Sequence, residues 1–154
     1  EMSAEGVAQA VLDRLERGPA NQLIVVNFAN PDMVGHTGNF EATGAACAFT
    51  DRCVGRIAEK TLAAGGSLFL TSDHGNAELM VDGNGAPHTA HTTNPVPFVV
   101  ASAGERNFSL AAGGTLANVA PTLLDILGIG APSEMAMPSL RVGAETGAAK
   151  RGAR

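Results

Sequence analysis

A chain of 154 residues, of which 45% are hydrophobic, has the length of one domain and enough apolar side chains to bury a core. Its formal net charge is -5 and it has no stripe of Lys and Arg, which excludes nucleic acid as the main partner. No apolar run reaches the roughly 18 residues that a membrane-spanning helix needs, and the first residues lack the regions of a signal peptide. We therefore expect a cytoplasmic protein that has no membrane partner.

The first half of the chain predicts two helices with a strand between them. Ser3 can cap a helix that follows the apolar period and ends at Gly18-Pro19. Residues 23–28, LIVVNF, are rich in β-branched side chains and predict a strand buried on both faces, as in a parallel sheet. A long helix is expected from about Phe40 to Leu62, with a stop at Gly65-Gly66.

The second half predicts two more strands and a final helix. SLFLTS at 67–72 and PFVVAS at 97–102 are the strands, and VDGNGAP at 81–87 is a turn cluster that suits a hairpin tip. Residues 115–128 predict a helix, in which Pro121 is tolerated only near the first turn. Its expected inner face consists of Leu116, Val119, Leu123, Leu124 and Leu127. Residues 141–154 lack apolar periodicity and are expected to be a disordered tail.

This alternation of helices and short apolar strands predicts an α/β layer structure with a mostly parallel sheet over residues 1–140. Two cysteines, Cys47 and Cys53, lie on different faces of the long helix and are expected to be reduced and structural. In parallel sheets, ligands bind beyond the carboxyl ends of the strands. The residues after Phe28 and after Ser72 are therefore the expected location of a site.

All four histidines of the chain lie in or just after these two segments. If Pro31 opens a helical turn, Asp32 and His36 occupy positions i and i+4 and project from one face. An oxygen and a nitrogen placed in this way can chelate one divalent cation. Taken alone, however, the pair is better explained as a capping aspartate beside a solvated histidine.

The second segment ends its strand with Asp73 and His74, and Gly75 allows the backbone to turn sharply. Taken alone, these two residues could equally be an aspartate bonded to loop amides and a histidine in solvent. His88 and His91 come just before the third strand. One of them is expected to complete the site, and spacing alone does not say which.

Two carboxylates and three imidazoles at neighbouring strand ends indicate a metal site. Oxygen and imidazole ligands suit Mn, Zn, Mg or Fe. Five ligands are more than one open catalytic ion takes from a protein, so a pair of ions about 4 Å apart is the simpler interpretation. Such pairs favour phosphoryl transfer, because they can clamp the attacking and leaving oxygens.

Five segments, in this order over residues 1–140, resemble the carboxyl-terminal part of the cofactor-independent phosphoglycerate mutases, which belong to the alkaline phosphatase superfamily. They are EMSAEGV, VNFANPDMVGHTGNFEAT, LTSDHGNAELM, AHTTNPVPFVV and APTLLDILGI. The resemblance implies a three-layer α/β sandwich with a mostly parallel sheet, of which this chain is the carboxyl-terminal portion. It also implies interconversion of 2- and 3-phosphoglycerate through a phosphoserine, with two Mn²⁺ ions, or Mg²⁺, Co²⁺ or Zn²⁺ in their place.

The same resemblance implies a metal role for five residues. Asp32, His36 and His91 match the three protein ligands of one ion. Asp73 and His74 match half of the ligand set of the other ion.

Other residues of the family mechanism have no counterpart in this chain. The nucleophilic serine, a further aspartate and the basic residues that hold phosphoglycerate lie upstream of the matched part, so no catalytic residue is expected here. His88 matches no ligand in the family pattern. Ser72 is a poor substitute nucleophile, because a hydroxyl at the end of a buried strand is expected to bond to the backbone.

Three hypotheses follow for function. The first is a phosphoglycerate mutase, monomeric at full length, to which this chain contributes metal ligands but no catalytic serine. The second is another two-metal phosphomutase or phosphatase of the same superfamily, with a different phosphate ester as substrate. The third, from a different class, is a remnant without catalytic activity that binds metal weakly or not at all.

Overall fold

The computed structural model describes residues 3–18, 23–104 and 108–143. The chain divides into two compact units, Glu1–Gly104 and Glu105–Arg154. All five candidate metal ligands belong to the first unit. Among the helices in the described ranges, none combines the length and the apolar character needed to cross a membrane.

The two long helices of the first unit begin and end where the local sequence predicts. Helix α1, Ala4–Glu16, begins after Ser3, whose hydroxyl accepts a 3.0 Å hydrogen bond from the amide of Gly6. Helix α3, Phe40–Ala63, begins after Asn39, whose side chain caps it. It ends before Gly65, which takes the left-handed backbone conformation, φ 78°, that favours glycine. A short helix, α2, lies between them at Asn30–Gly35.

Helices α1 and α3 pack against each other around a small core. Its buried members are Ala4, Ala8, Val11, Cys53 and Ile57. Both cysteines are free thiols, and burial raises the pKa of the Cys53 thiol, as suits a structural residue. At the edge of this interface the Arg56 guanidinium donates to the Glu5 carboxylate at 2.6 Å, which fixes the register of the two helices.

Residues 23–28 have no assigned secondary structure and join no strand ladder among the described residues. Their side chains alternate: Ile24, Val26 and Phe28 pack against the helical core, whereas Val25 is 84% exposed. The prediction of a strand buried on both faces is therefore wrong for this unit. A ladder requires a partner strand, and the two strands described in this unit pair with each other.

Those two strands are β1, Ser67–Thr71, and β2, Phe98–Ser102, close to the predicted bounds. They pair antiparallel, from Ser67 opposite Ser102 to Thr71 opposite Phe98, and α3 packs against both. The predicted parallel pairing is thus not found in the described part of the chain. Parallel neighbours need a crossover, usually a helix, and residues 72–97 contain only turns, loops and isolated bridges.

The predicted hairpin tip is present between β1 and β2. Val81 and Pro87 form an antiparallel bridge, and the amide of His88 donates to the carbonyl of Met80 at 2.9 Å. The amides of Ala86 and Asn84 bond to the Asp82 carboxylate and lower its pKa. This hairpin leads directly into the loop that carries His88 and His91.

The second unit contains a short helix and a two-stranded sheet. A 3-10 turn, Leu116–Asn118, leads into helix α4, Val119–Ile126, which is shorter than the helix predicted over 115–128. Strands β3, Ser109–Leu110, and β4, Arg141–Val142, pair antiparallel. Strand β4 lies inside the predicted disordered tail, and backbone pairing to β3 orders it; residues 144–154 of that tail lie outside the described residues.

The inner face predicted for the last helix is partly wrong. Leu116 and Leu127 are exposed, and the most deeply buried residues are the polar Asn118 and Thr122. The Asn118 amide donates to the carbonyl of Pro138 at 2.8 Å, and the Thr122 hydroxyl accepts from the amide of Leu140 at 2.9 Å. These side chains are buried because they satisfy the backbone of an irregular segment that packs on the helix.

Candidate metal centre

The pair Asp32 and His36 is positioned by helix α2. Pro31 occupies the first turn, where its missing N–H costs nothing, and the amide of His36 donates to the carbonyl of Asp32 at 3.1 Å. One helical turn therefore separates the two side chains, and they share a face. Asp32 Oδ1 lies 3.4 Å from His36 Nε2, as the i and i+4 spacing predicts.

His91 brings a third donor atom to this pair. Its Nε2 lies 3.2 Å from Asp32 Oδ1 and 3.0 Å from His36 Nε2, so the three donor atoms are all neighbours of one another. Donors that surround a divalent ion tetrahedrally at about 2.1 Å lie roughly 3.4 Å apart. The observed spacing of 3.0 to 3.4 Å fits a single first-row ion held by one carboxylate and two imidazoles.

The orientation of the His36 ring supports the same interpretation. Its Nδ1 lies 2.7 Å from the carbonyl oxygen of Thr89, which can only accept, so Nδ1 carries the hydrogen. In the neutral ring, Nε2 then presents its lone pair to Asp32 and His91. Histidine ligands in metal sites are commonly held in this way, through a hydrogen bond from the other ring nitrogen.

His74 lies against the same cluster. Its ring stacks on that of His91, with centroids 3.7 Å apart and planes 20° apart. Its Nδ1 is 4.0 Å from Asp32 Oδ1 and is buried without a hydrogen-bond partner among the described residues. One donor atom from each of Asp32, His74 and His91 lies within 4.8 Å of the others. An orphaned buried nitrogen in a ring of donors fits a site built for a cation.

Asp73 occupies the open edge of the cluster. Its Oδ1 is 3.7 Å from Nε2 of His74, the ring nitrogen not directed at Asp32, and its side chain is 78% exposed. Asp73 thus lies beside His74 on the solvent side of the cluster. The structure therefore brings four of the five predicted ligands into one cluster and places the fifth at its rim.

His88 and Ser72, which the sequence analysis also considered for the site, are not among the clustered donors. His88 has a buried Nδ1 without a hydrogen-bond partner among the described residues, and it does not belong to the group of donor atoms found there. Ser72 donates its hydroxyl to the carbonyl of His74 at 2.6 Å. The expectation that this hydroxyl bonds to the backbone is therefore confirmed.

Sequence reasoning missed two residues that contact a ligand or the residues next to the ligands. Asn76 is buried and donates from Nδ2 to Asp32 Oδ1 at 2.8 Å. Glu78 accepts hydrogen bonds from Thr92 and Asn94, and the Thr92 hydroxyl is the main reason that the pKa of Glu78 is lowered. The available signal was their position, since both lie within three residues of Gly75, in the turn that follows Asp73 and His74.

With the geometry known, comparison with other proteins identifies the family. The model of the Metalloenzyme superfamily matches residues 1–131. The chain belongs to this superfamily. The membership agrees with the cluster of carboxylate and imidazole donors in the first unit.

Two curated proteins that carry the same name are about 50% identical to this chain. A 2,3-bisphosphoglycerate-independent phosphoglycerate mutase of Gloeobacter violaceus is 50% identical over 147 residues, covering 91% of this chain and 27% of that protein. The enzyme of the same name from Syntrophotalea carbinolica is 52% identical over 140 residues, again covering 91% of this chain and 27% of that protein. This chain therefore spans about a quarter of the length of the curated relatives it matches.

A solved structure is also similar to this chain. It is a Leishmania mexicana phosphoglycerate mutase determined at low cobalt concentration, with 30% identity and a TM-score of 0.82. The match covers 92% of this chain and 28% of that protein. This similarity confirms the α/β fold class and the superfamily expected from the sequence.

Proposed function

We propose that this chain is the metal-binding portion of a cofactor-independent phosphoglycerate mutase, which interconverts 2- and 3-phosphoglycerate. The observation that carries the proposal is the spacing of Asp32 Oδ1, His36 Nε2 and His91 Nε2, which lie 3.0 to 3.4 Å from one another. Relatives about 50% identical to the chain carry the mutase name. Because the match covers about a quarter of their length, the activity is proposed for a longer polypeptide that contains these residues.

Each candidate ligand has a role in this proposal. Asp32, His36 and His91 hold one divalent ion, and Asp73 with His74 contributes part of the shell of a second. Asp32 supplies the negative charge of the first shell, and the Thr89 carbonyl holds the His36 ring in the tautomer that can ligate. Bound ions would supply positive charge that stabilises a phosphoryl group in transfer.

The identity of the ion and the cellular setting are further parts of the proposal. Mn²⁺ is the proposed resident ion, and Mg²⁺, Co²⁺ and Zn²⁺ also accept oxygen and imidazole donors. The proposed substrate is phosphoglycerate, and the proposed location is the cytoplasm, which suits two free cysteines. The proposed nucleophilic serine belongs to the longer polypeptide, which we expect to be a monomer.

The direct test replaces single ligands in the longer polypeptide. His36→Ala and His91→Ala are each expected to lower the bound Mn²⁺ measured by elemental analysis and to abolish the conversion of 3- to 2-phosphoglycerate. His88→Ala is the matched control, since it removes a half-buried imidazole outside the cluster. Full activity and full metal content in both ligand variants would refute the assignment.

A second test separates the mutase from the other two hypotheses. The same polypeptide is assayed on 3-phosphoglycerate, on pentose phosphates and on a general phosphatase substrate. Preference for 3-phosphoglycerate by a factor of 100 or more in kcat/KM, about 2.7 kcal/mol, supports the mutase. Preference for another ester would indicate a different two-metal enzyme, and weak or absent metal binding without turnover of any ester would indicate a remnant.

A further inference from the structure

Glu78 connects the two loops that carry His74 and His91. One carboxylate oxygen, Oε2, accepts from the amide of Asn76 at 2.6 Å, within its own loop. The other oxygen, Oε1, accepts from the Thr92 hydroxyl and from Asn94 Nδ2 at 3.0 Å, both in the loop that follows His91. A single side chain thus joins segments that are separated by 14 to 16 residues in sequence.

The backbone makes the same connection at the residues next to the ligands. Gly75, which follows His74, forms an isolated antiparallel bridge with Thr92, which follows His91, and the Thr92 amide donates to the Gly75 carbonyl at 2.8 Å. A Cβ at Gly75 would overlap Thr92 Oγ1 and the Glu78 carboxylate, so glycine permits this close approach. One bridge fixes the distance between the loops, and the Glu78 bonds restrict their rotation about it.

Asn76 extends this connection to the third ligand segment. The residue is 5% exposed, and its Nδ2 donates to both Oδ1 and the backbone carbonyl of Asp32, at 2.8 and 3.5 Å. The backbone N–H of Asn76 donates to Glu78, so Glu78 holds the residue whose side chain orients Asp32. Glu78 is therefore connected to Asp32 through Asn76, and it bonds directly to the loop that follows His91.

We infer that Asn76 and Glu78 are positioning residues for the metal centre, which hold Asp32, His74 and His91 at ligand spacing before the ion binds. Neither residue is one of the candidate ligands. Outer residues that orient metal ligands commonly change metal affinity by about 10- to 100-fold when they are removed. The inference rests on the proposed function, since it concerns the same metal centre.

The test measures Mn²⁺ affinity of the 154-residue chain by calorimetry, together with its melting temperature in EDTA. Glu78→Ala is expected to weaken Mn²⁺ binding by about 10- to 100-fold, and Asn76→Ala by a similar factor. Glu78→Gln keeps one acceptor oxygen of the two and should lose less than tenfold. Glu59→Ala is the matched control, because it removes an exposed carboxylate from α3 and leaves the net charge equal to that of Glu78→Ala.

The visible spectrum of the Co²⁺-loaded chain provides a second readout, because it reports the geometry of the ligands. A shifted spectrum in Glu78→Gln with an unchanged melting temperature in EDTA supports positioning rather than a general role in stability. If Glu78→Ala is unfolded, Glu78→Gln decides the result by itself. A folded Glu78 variant with wild-type affinity and spectrum would overturn only the inference about positioning. Failure of the wild-type chain to bind Mn²⁺ or Co²⁺ would overturn both the inference and the proposed metal centre.

Discussion

At the scale of single residues, the site depends on one close approach between backbone and side chain. Gly35, the last residue of α2, lies directly under the Asn76 side chain, and a Cβ at this position would overlap Asn76 Oδ1. Because Asn76 is buried, its side chain has no open solvent into which it could move. Glycine at position 35 is therefore required for the hydrogen bond between Asn76 and Asp32.

Gly35→Ala is expected to weaken both metal binding and stability. The added methyl group displaces Asn76 from Asp32, so Mn²⁺ affinity should fall by about tenfold. Overpacking of this kind also typically costs about 1 to 3 kcal/mol of the free energy of unfolding. Calorimetry with Mn²⁺ and urea denaturation in EDTA measure the two effects on the same preparation.

Gly55→Ala is the control for this prediction. Gly55 lies in the interior of α3, and a Cβ there would meet no atom within 4 Å. Alanine in an open helical position should raise stability by up to about 1 kcal/mol and leave Mn²⁺ affinity unchanged. Equal effects of the two substitutions would contradict the role assigned to Gly35.

At the scale of elements, local signals predicted where helices and strands lie better than how the strands pair. Ser3 and Asn39 mark the starts of α1 and α3 because the capping bond forms within one turn. Pairing of strands depends on what lies beside them, and this information is not local. Residues 23–28 have the composition of a buried strand, yet Val25 is 84% exposed, and the sequence of the segment cannot specify its partner.

The same distinction separates the ligands from their supporting residues. The spacing of Asp32 and His36 within one helical turn determined their geometry, and it could be predicted from the sequence. The contacts of Asn76 and Glu78 join residues that are 14 to 44 positions apart, so they become visible only in the folded chain. For Asp73, the position after β1 could be predicted from the sequence, whereas its 78% side-chain exposure could not.

The N-terminal cap of α3 gives a testable prediction at this scale. Asn39 Oδ1 accepts from the amide of Ala42 at 2.9 Å, close to the end of the segment that carries His36. Asn39→Ala leaves that amide without its partner and should cost about 1 kcal/mol of unfolding free energy, measured by urea denaturation in EDTA. Asn39→Asp keeps an acceptor in place and should restore most of the loss. Equal destabilisation by both substitutions would show that the cap bond is not the cause.

At the scale of the whole molecule, the described part of the chain provides metal donors but no reactive oxygen directed at them. Ser72 is the serine next to Asp73, and its hydroxyl donates to the carbonyl of His74 at 2.6 Å. A nucleophilic hydroxyl must instead lose its proton and face the phosphorus atom, which requires a base or a metal beside it. In the proposed enzyme, the cluster around Asp32 would hold an ion, and the attacking hydroxyl would come from the longer polypeptide.

We therefore expect the isolated 154-residue chain to bind Mn²⁺ without interconverting 2- and 3-phosphoglycerate. The measurement is ³¹P NMR of 3-phosphoglycerate incubated with the purified, Mn²⁺-loaded chain. His91→Ala is the comparison variant, which is expected to lack both metal binding and interconversion. Formation of 2-phosphoglycerate by the wild-type chain would contradict the expectation. In that case Ser72→Ala decides between two causes. Loss of activity would identify Ser72 as the nucleophile, and its hydrogen bond to the His74 carbonyl would then have to break. Retained activity would indicate transfer through another group of the chain.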